Sequence, residues 1–406
     1  MRVLVALENH FERGPNNHIY ADGPPNYAFW SRYLDVFEEV IVLARVRDTA
    51  VARGEQERSD GPGVSFAALP DYRGPWHYLR CLPALQRCVR DTVSAADAYI
   101  LRVPGLVGRL VWFELRRRRK PYALDVIGDP WEAFGKGTWR SIFRPVFQQV
   151  ASHNLRAMCR DATAARYVTR RVLPQRYPAA PAAFVTSFSD VELQKGFAAP
   201  DALAARSERI RARENMGDLR PRHIGFIGSF AQLYKAPDVL LEALAECARR
   251  GLAFEASFVG DGRFRRDMET LSRRLGLECR VRFLGVLPYG KAVQEFLDSV
   301  DLFVMPSRTE GLPRAMVEAM ARGCPCIGSA VGGIPELLRE EDLVAPNDPQ
   351  ALAEKIAAIL GDPQRLQELS RRNFEKAQEF RSEILDEGRR EFYRAVRDRA
   401  TPRGVR

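Results

Sequence analysis

The chain is 406 residues long, which exceeds one ordinary hydrophobic core and predicts two domains. It has 46% hydrophobic residues but no apolar stretch long enough to span a bilayer, and its first residues, MRVLVALENH, lack the pattern of an export signal, so we expect a cytoplasmic protein with seven reduced cysteines. The net charge is +10, yet the basic run at residues 116–120 has no interleaved aromatic residues, which argues against a nucleic-acid-binding protein.

The positive charge is concentrated in the first half of the chain. Residues 1–200 contain 28 Lys and Arg against 20 Asp and Glu, whereas the remaining residues contain 34 against 32. Binding to the anionic inner face of a membrane, or to an anionic acceptor, would account for this asymmetry of charge. The run at 116–120 taken alone fits equally well a solvated helix end whose cations complement the helix dipole.

The first half alternates predicted strands with predicted helices. Strands are expected at residues 3–7, 40–44, 64–68, 98–102, 122–126, 162–165 and 183–187. Helices are expected at 27–37, 76–93, 106–118 and 138–158, and a long irregular loop at 8–26. This alternation is typical of a parallel, doubly wound sheet, in which ligands lie beyond the carboxyl ends of the strands.

Two loops of this half therefore carry candidate functional residues. Residues 126–137, VIGDPWEAFGKG, place Asp129 at a strand end, where it either orients a hydroxyl group or caps the helix that follows. His10 and His18 lie in the loop at 8–26, where a general base is one role and an ordinary loop residue the other. The first strand is not followed by Gly-x-Gly-x-x-Gly, so we expect no dinucleotide site.

The second half places a glycine or a polar group after successive strands. The strand at 223–228 ends at Gly228 and is followed by Lys235, whose ammonium suits a phosphate. The strand at 254–259 precedes the turn Gly260-Asp261-Gly262, and the strand at 281–285 can present its backbone to a nucleobase. The strand at 302–305 leads into a loop with Glu310. The segment 196–218 reads as a linker or surface helix.

Two carboxylates, Glu310 and Glu318, dominate the stretch at 304–333. Glu310 precedes a predicted helix and Glu318 lies about two turns into it, so both can face a ligand over the helix start. Carboxylates accept hydrogen bonds from sugar hydroxyls, and the free N–H groups of a first helical turn suit a diphosphate. The alternative is a helix-start acid and a solvated helix residue.

Residues 224–338 resemble the retaining glycosyltransferases of family 4 in the motifs FIGSFAQLYKAPDVLLEAL, FVGDG, VRFLG and SRTEGLPRAMVEAMARGCPCIGSAVGGIPELL. The resemblance implies the α/β GT-B fold, two doubly wound parallel-sheet domains facing across a cleft, with the C-terminal helix packing back on the N-terminal domain. It implies an acceptor-side domain at 1–195, a linker at 196–218, a nucleotide-sugar-binding domain at 219–380 and a crossover helix and tail at 381–406.

The resemblance also implies roles for individual residues. Glu310 would contact the hydroxyls of the donor sugar, Glu318 the ribose and Lys235 the diphosphate, and the catalytic candidates are Glu310, Lys235 and Asp129. The implied donor-binding positions are Gly228, Ser229, Gly260, Asp261, Gly262, Arg282, Phe283, Leu284, Leu312, Pro313, Arg314, Ala315 and Glu318.

Three positions depart from the family pattern. Ser229 stands where many relatives have an arginine, so Arg314 or Arg308 would have to supply the missing diphosphate charge. Gly128 stands where many relatives have a histidine, and Asp129 is the nearest polar candidate. Pro313 has no N–H to offer to a phosphate.

The implied activity is transfer of a sugar from a nucleoside diphosphate sugar to a hydroxyl of a glycan or lipid-linked acceptor, with retention of anomeric configuration. The chain has no Asp-x-Asp sequence, so metal-independent transfer is expected, with no metal site and no cofactor. A sugar-nucleotide epimerase on the same fold and a non-catalytic partner subunit are the alternatives.

Overall fold

The computed structural model describes residues 1–21, 25–50, 54, 57–133, 144–193, 196–215 and 220–400. The chain divides into two compact units. The first comprises Met1–Pro130, Gln149–Phe188 and Asp386–Arg406, and the second comprises Trp131–Gln148 and Ser189–Leu385. These units group residues 131–148 with the second half of the chain, whereas the linear division drawn from the sequence placed them in the first domain.

The first unit is built on a parallel sheet. Its described strands are β1 (Arg2–Arg13), β2 (Ile19–Tyr20), β3 (Glu39–Asp48), β4 (Val64–Pro70), β5 (Ala98–Val103), β6 (Ala123–Val126), β7 (Ala164–Tyr167) and β8 (Phe184–Ser187). They lie in the order β4-β3-β1-β5-β6-β7-β8, and β2 pairs antiparallel with β1. This order, winding outward in both directions from β1, is that of a doubly wound sheet.

The predicted loop at 8–26 was wrong in its first part, because β1 continues to Arg13. After a register shift between Ala6 and His10, the strand pairs again with β3, from His10 opposite Arg45 to Arg13 opposite Asp48. Phe11, which is buried, anchors this extension in the core. The residues around Phe11 are polar because side chains on the solvent side of the strand alternate with it, and this made the strand look like a loop in the sequence.

Helices cover both faces of the first sheet. The described ones are α1 (Tyr27–Ser31), α2 (Gly74–Ala95), α3 (Leu106–Arg117), α4 (Pro130–Ala133), α5 (Arg144–Asp161) and α6 (Val172–Arg176). Leu4 and Leu101 face a core shared with α2 and α3, while Val5 and Ile100 face the opposite core. Burial on both faces explains why the strands read as nearly continuous apolar runs. Residues 134–143, which include the end of the loop at 126–137 and the start of the helix predicted at 138–158, lie outside the described residues.

The C-terminal helix packs on the first unit, which confirms that part of the predicted fold. This helix, Ser382–Ala400, contributes Phe392, Tyr393 and Val396 to the core beside the first sheet. The ring of Tyr393 stacks on that of Tyr33 at 4.3 Å between centroids.

The second unit contains a parallel sheet of its own. Its described strands are β9 (Arg222–Ile227), β10 (Phe254–Val259), β11 (Val281–Gly285), β12 (Leu302–Met305), β13 (Cys326–Ser329) and β14 (Leu343–Val344). Their order, β11-β10-β9-β12-β13-β14, is the 3-2-1-4-5-6 order of a Rossmann fold. The predicted α/β class with two doubly wound parallel sheets is therefore confirmed.

Helices also flank the second sheet. The described ones are α7 (Pro200–Asn215), α8 (Pro237–Arg249), α9 (Arg265–Arg274), α10 (Lys291–Ser299), α11 (Arg314–Ala321), α12 (Ile334–Leu337), α13 (Pro349–Leu360) and α14 (Pro363–Ala377). The C-terminal helix, α15 (Ser382–Ala400), belongs to the first unit from Asp386 onward. Of the predicted linker at 196–218, residues 200–215 form a docked helix, because the buried Arg206 of α7 donates hydrogen bonds to the carbonyls of Leu297, Val300 and Arg322. Within the described residues, no helix combines the length and the apolar character needed to cross a bilayer.

Candidate functional site in the second unit

The order of the second sheet reverses between β9 and β12, which are neighbours but far apart in sequence. In open α/β sheets, ligands bind beyond the carboxyl ends of the strands at such a reversal. The chain leaves β9 through Gly228 toward Lys235, and it leaves β12 through Ser307 toward Glu310. The fold therefore brings together two predicted residues that are 75 positions apart.

Lys235 and Glu310 form a buried ion pair at this reversal. The Nζ atom of Lys235 lies 2.6 Å from Oε1 of Glu310, and the side chains are only 14% and 6% exposed. The hydroxyl of Ser307, which is fully buried, donates a second hydrogen bond of 2.6 Å to the same oxygen. Charge-assisted hydrogen bonds of this kind fix the positions of both the lysine and the carboxylate.

The turn at Gly332 and Gly333 supports the loop that carries Glu310. Gly332 has φ +52°, and a Cβ atom there would lie 1.8 Å from the carbonyl oxygen of Glu310. The N–H of Gly333 donates to the carbonyl of Gly311 at 2.7 Å. Only a residue without a side chain allows this approach of two backbones, so the glycine pair shapes the loop.

Glu318 is buried on α11 and has hydrogen-bonding capacity to spare. Its residue is 5% exposed, and among the described residues no group donates a hydrogen bond to its Oε1 atom. Burial raises the pKa of the Glu318 carboxyl to about 7, against the opposing effects of the nearby Arg314 charge and of Tyr289. A buried acceptor of this kind is suited to a ligand that brings hydroxyl donors.

The start of α11 lies between the two glutamates. Pro313 is the residue before the helix and no side chain caps it, so the helix start offers backbone N–H groups from Arg314 onward. Arg314 is exposed and its guanidinium lies over the ring of Tyr289, 5.9 Å from the centroid. Leu312 and Ala315 are half-buried on either side. Backbone amides and one exposed cation therefore lie close to Glu318.

Arg308, one of two candidates for the missing diphosphate charge, already forms an ion pair and hydrogen bonds within the second unit. Its guanidinium binds both carboxylate oxygens of Asp238, at 2.9 and 2.7 Å, and also the carbonyl of Leu233. A further hydrogen bond reaches Asn347. These contacts make Arg308 an anchor of the Glu310 loop and leave Arg314 as the exposed cation.

The turn Gly260-Asp261-Gly262 packs directly on the loop after β9. Gly260 has φ +135°, and a Cβ atom there would lie 1.9 Å from the carbonyl oxygen of Gly228. The carboxylate of Asp261 accepts from the N–H of Gly262 at 2.6 Å. Ser229 is exposed between them, where its hydroxyl accepts from the N–H of Ala231. These glycines thus have a structural reason, the close approach of two loops.

The strand end at β11 has a mixed character. Arg282 and Leu284 are exposed, whereas the ring of Phe283 lies 5.2 Å from that of Phe258 in the core. The carbonyl of Phe283 accepts a hydrogen bond from Arg265 at 3.1 Å. A nucleobase at this edge would share that carbonyl with Arg265.

Asp129 belongs to the first unit and is engaged there. Its carboxylate accepts a hydrogen bond of 2.6 Å from the hydroxyl of Tyr177 and pairs with Arg176. Burial and the neighbouring carboxylate raise the pKa of Tyr177. His10 and His18 are likewise paired, with Asp71 at 2.6 Å and Asp60 at 3.0 Å.

Three contacts of the site escaped the sequence reasoning. Ser307 donates to Glu310, Tyr289 lies beside Glu318, and Glu132 accepts from the hydroxyl of Thr309 at 3.4 Å. Only Ser307 left a signal, because it lies three residues before Glu310 at a strand end, a spacing that allows a local hydrogen bond.

The chain is similar to several known proteins. Residues 221–362 match the profile of the family described as Glycosyl transferases group 1. The chain is 26% identical over 351 residues to protein CapJ of Staphylococcus aureus, covering 86% of this chain and 83% of CapJ. It is 37% identical over 134 residues to WcaL of Escherichia coli, a putative colanic acid biosynthesis glycosyltransferase, covering 31% of this chain and a third of WcaL (33%).

The whole chain also resembles a solved structure. It superposes on HepE from Anabaena, solved in complex with UDP and glucose, with a TM-score of 0.64 and 18% identity, covering 96% of this chain and 98% of HepE. That likeness concerns the fold. The part of the chain that matches the profile of Glycosyl transferases group 1, residues 221–362, includes Lys235, Glu310 and Glu318.

Proposed function

We propose that the protein transfers a sugar from a nucleoside diphosphate sugar to an acceptor hydroxyl, as a metal-independent, retaining glycosyltransferase of family 4. The observation that carries the proposal is the pair of Lys235 and Glu310 at 2.6 Å, held at the reversal of the second sheet. An ammonium and a carboxylate at this edge suit the two halves of such a donor, its diphosphate and its sugar hydroxyls.

Each residue has a separate task in the proposed reaction. Lys235 and the first-turn N–H groups of α11 stabilise the charge that develops on the leaving diphosphate. Glu310, held by Ser307, orients the hydroxyls of the donor sugar. Glu318 accepts from the ribose hydroxyls with its free Oε1 atom. Departure and attack on the same face, with the leaving phosphate helping to deprotonate the acceptor, would give retention.

The acceptor is proposed to be a glycan or a lipid-linked sugar of polysaccharide biosynthesis, met at the cytoplasmic face of the membrane. Support comes from the partial match to a putative colanic acid biosynthesis glycosyltransferase and from the excess positive charge of residues 1–200. HepE, solved with UDP and glucose, makes a UDP-sugar the first donor to test.

To test this proposal, the purified protein is incubated with UDP- and GDP-sugars and candidate acceptors. The released nucleoside diphosphate and the glycosylated product are then measured by mass spectrometry. We expect product with the wild type and with Glu354→Gln, an exposed glutamate of α13, but not with Glu310→Gln. A C2-epimer of the donor without product would favour the epimerase. Product from Glu310→Gln at the wild-type rate would refute the assignment.

A further inference from the structure

The outer face of helices α2 and α3 in the first unit carries a dense positive charge. Residues 73–120 contain eleven Arg and Lys against three Asp and Glu, a net charge of +8. This equals the whole excess of the first half of the chain. The structure places six of these cations on the outward sides of the two helices: Arg80, Arg87, Arg90, Arg109, Arg116 and Arg117.

Both helices place outward-facing residues at spacings of three or four, so that each forms a stripe along one side. On α2 the stripe contains Trp76, Leu79, Arg80, Pro83, Arg87 and Arg90. On α3 it contains Leu106, Arg109, Leu110, Phe113, Arg116 and Arg117. The opposite sides, with Leu85 and Val111 among them, are buried in the core of the first unit. We call these two stripes together the α2–α3 surface.

The α2–α3 surface combines its arginines with large apolar side chains. Trp76 is 79% exposed, Leu79 54% and Phe113 47%. Large apolar side chains exposed together in this way are typical of an interaction surface. A groove of about 360 Å³ runs between the helices, and Arg90, Leu110 and Phe113 contribute to its walls. Apolar and cationic groups thus alternate over one face.

Most of these cations have no acidic partner to neutralise them. Within the described residues, no carboxylate pairs with Arg80, Arg87, Arg90 or Arg116. Glu114 is the exception, since it binds Arg117 at 2.7 Å and Arg118 at 2.5 Å. The surface therefore presents several cations to whatever approaches it.

We propose that the α2–α3 surface docks the protein on an anionic phospholipid bilayer. Arginines of an amphipathic surface bind anionic headgroups, while tryptophan, leucine and phenylalanine enter the boundary with the acyl chains. Nucleic acid would use the arginines equally well, but it offers nothing to the aliphatic side chains of Leu79 and Leu106. The inference deepens the membrane contact in the proposed function, yet binding to lipid is measurable without any sugar transfer.

The two ends of the α2–α3 surface differ in their side chains. Because α2 and α3 follow parallel strands, their first turns lie at the carboxyl edge of the first sheet, so Trp76, Leu79 and Leu106 lie at that end. Arg87, Arg90 and Arg117 lie nearer the other end. The apolar insertion would bring the membrane to the edge of the sheet at which α/β proteins bind ligands, as a lipid-linked acceptor requires.

The test is co-sedimentation of the full chain with vesicles of phosphatidylcholine alone and of phosphatidylcholine with about 30 mol% phosphatidylglycerol. We expect binding to the anionic vesicles and a loss of about a hundredfold in partitioning for Arg80→Gln/Arg87→Gln/Arg90→Gln. The matched control, Arg249→Gln/Arg339→Gln/Arg371→Gln, neutralises exposed arginines of the second unit and should bind as the wild type does. Thermal melting establishes that each variant is folded.

A second variant tests the apolar part of the proposal. Trp76→Ala/Phe113→Ala keeps the charge, so it should still bind at low salt but be released by about 0.3 M NaCl, where the wild type is partly retained. Equal binding to neutral and anionic vesicles, binding to RNA but to no vesicle, or equal loss in the control triple variant would each overturn the proposal.

Discussion

The Nζ atom of Lys235 lies 2.6 Å from Oε1 of Glu310, so the segments that follow β9 and β12 meet at this ion pair. This contact joins the two central strand ends of the second sheet. A diphosphate would draw the ammonium toward itself, whereas a sugar hydroxyl would take its place on the carboxylate. We therefore expect a bound donor to rearrange this ion pair.

Removal of the ammonium should weaken the reaction more than it weakens the fold. We expect Lys235→Ala to lose about 2–4 kcal/mol of transition-state stabilisation, because Lys235 is the cation held at the reversal of the second sheet, whereas Arg308 is bound to Asp238. Steady-state kinetics with varied donor measure this loss as a fall in kcat/KM. Lys291→Ala, at an 88% exposed side chain of α10, is the control. Unchanged donor kinetics in Lys235→Ala would contradict the role.

Ser307 should matter through Glu310 alone. Its replacement by alanine removes a hydrogen bond to a buried carboxylate, a change worth about 1.5–3 kcal/mol when one partner is charged. We expect Ser307→Ala to lower kcat at least tenfold while the affinity for the nucleoside diphosphate alone stays the same. Ser272→Ala is matched, because that buried hydroxyl has no hydrogen-bond partner among the described groups. An equal effect in both variants would mean a general loss of packing.

Glu318 should give the ligand-free protein a characteristic pH dependence. Because its folded pKa is raised from 4.5 to about 7, the folded state keeps a proton that the unfolded state has lost between these values. The free energy of unfolding should therefore fall as the pH rises from 4.5 to 7 and level off above it, by up to about 3 kcal/mol. Chemical denaturation of wild type and Glu318→Gln across this range measures the difference.

Donor affinity should change with pH in the opposite sense. Since the carboxylate is the stronger acceptor for ribose hydroxyls, we expect the affinity of the wild type to rise from pH 6 to pH 8. Glu318→Gln should bind more weakly and lose most of that rise, whereas Glu354→Gln should follow the wild type. A rise of the same size in Glu318→Gln would assign the titration to another group.

Asp129 should act mainly on stability. Its carboxylate holds the Tyr177 hydroxyl at 2.6 Å and the Arg176 guanidinium, so Asp129→Asn should lower the free energy of unfolding by about 2 kcal/mol. Urea denaturation provides the measurement, with Asp48→Asn at an exposed pair as control. Wild-type stability together with lost turnover would instead give Asp129 a direct part in the reaction.

The sequence predicted the second unit better than the first. The strands Phe254–Val259, Val281–Gly285 and Leu302–Met305 were predicted at their observed bounds, because buried parallel strands are apolar runs with abrupt ends. The continuation of β1 through residues 8–13 was missed, because most of its side chains are polar and the segment therefore looks like a loop in the sequence. Hydrophobic periodicity reveals buried faces, whereas this segment is stabilised mainly by backbone pairing with β3.

The candidate site shows the same limit. Lys235 was singled out because it follows a predicted strand, and Glu310 because it precedes a predicted helix, but their mutual contact depends on which strands are neighbours in the sheet. Arg308 was a reasonable candidate for a diphosphate charge until the structure placed it on Asp238. A charged residue in a loop carries no sequence mark that distinguishes a ligand contact from a structural anchor.

Equilibrium titration of nucleoside diphosphate sugars into the wild type, Glu310→Gln and Glu354→Gln measures most directly whether Glu310 holds the donor sugar. We expect wild type and Glu354→Gln to bind one donor alike. We expect Glu310→Gln to bind that donor at least tenfold more weakly, yet to keep wild-type affinity for the nucleoside diphosphate without its sugar. Equal affinity of all three proteins for every donor, or no binding of any, would contradict this role of Glu310.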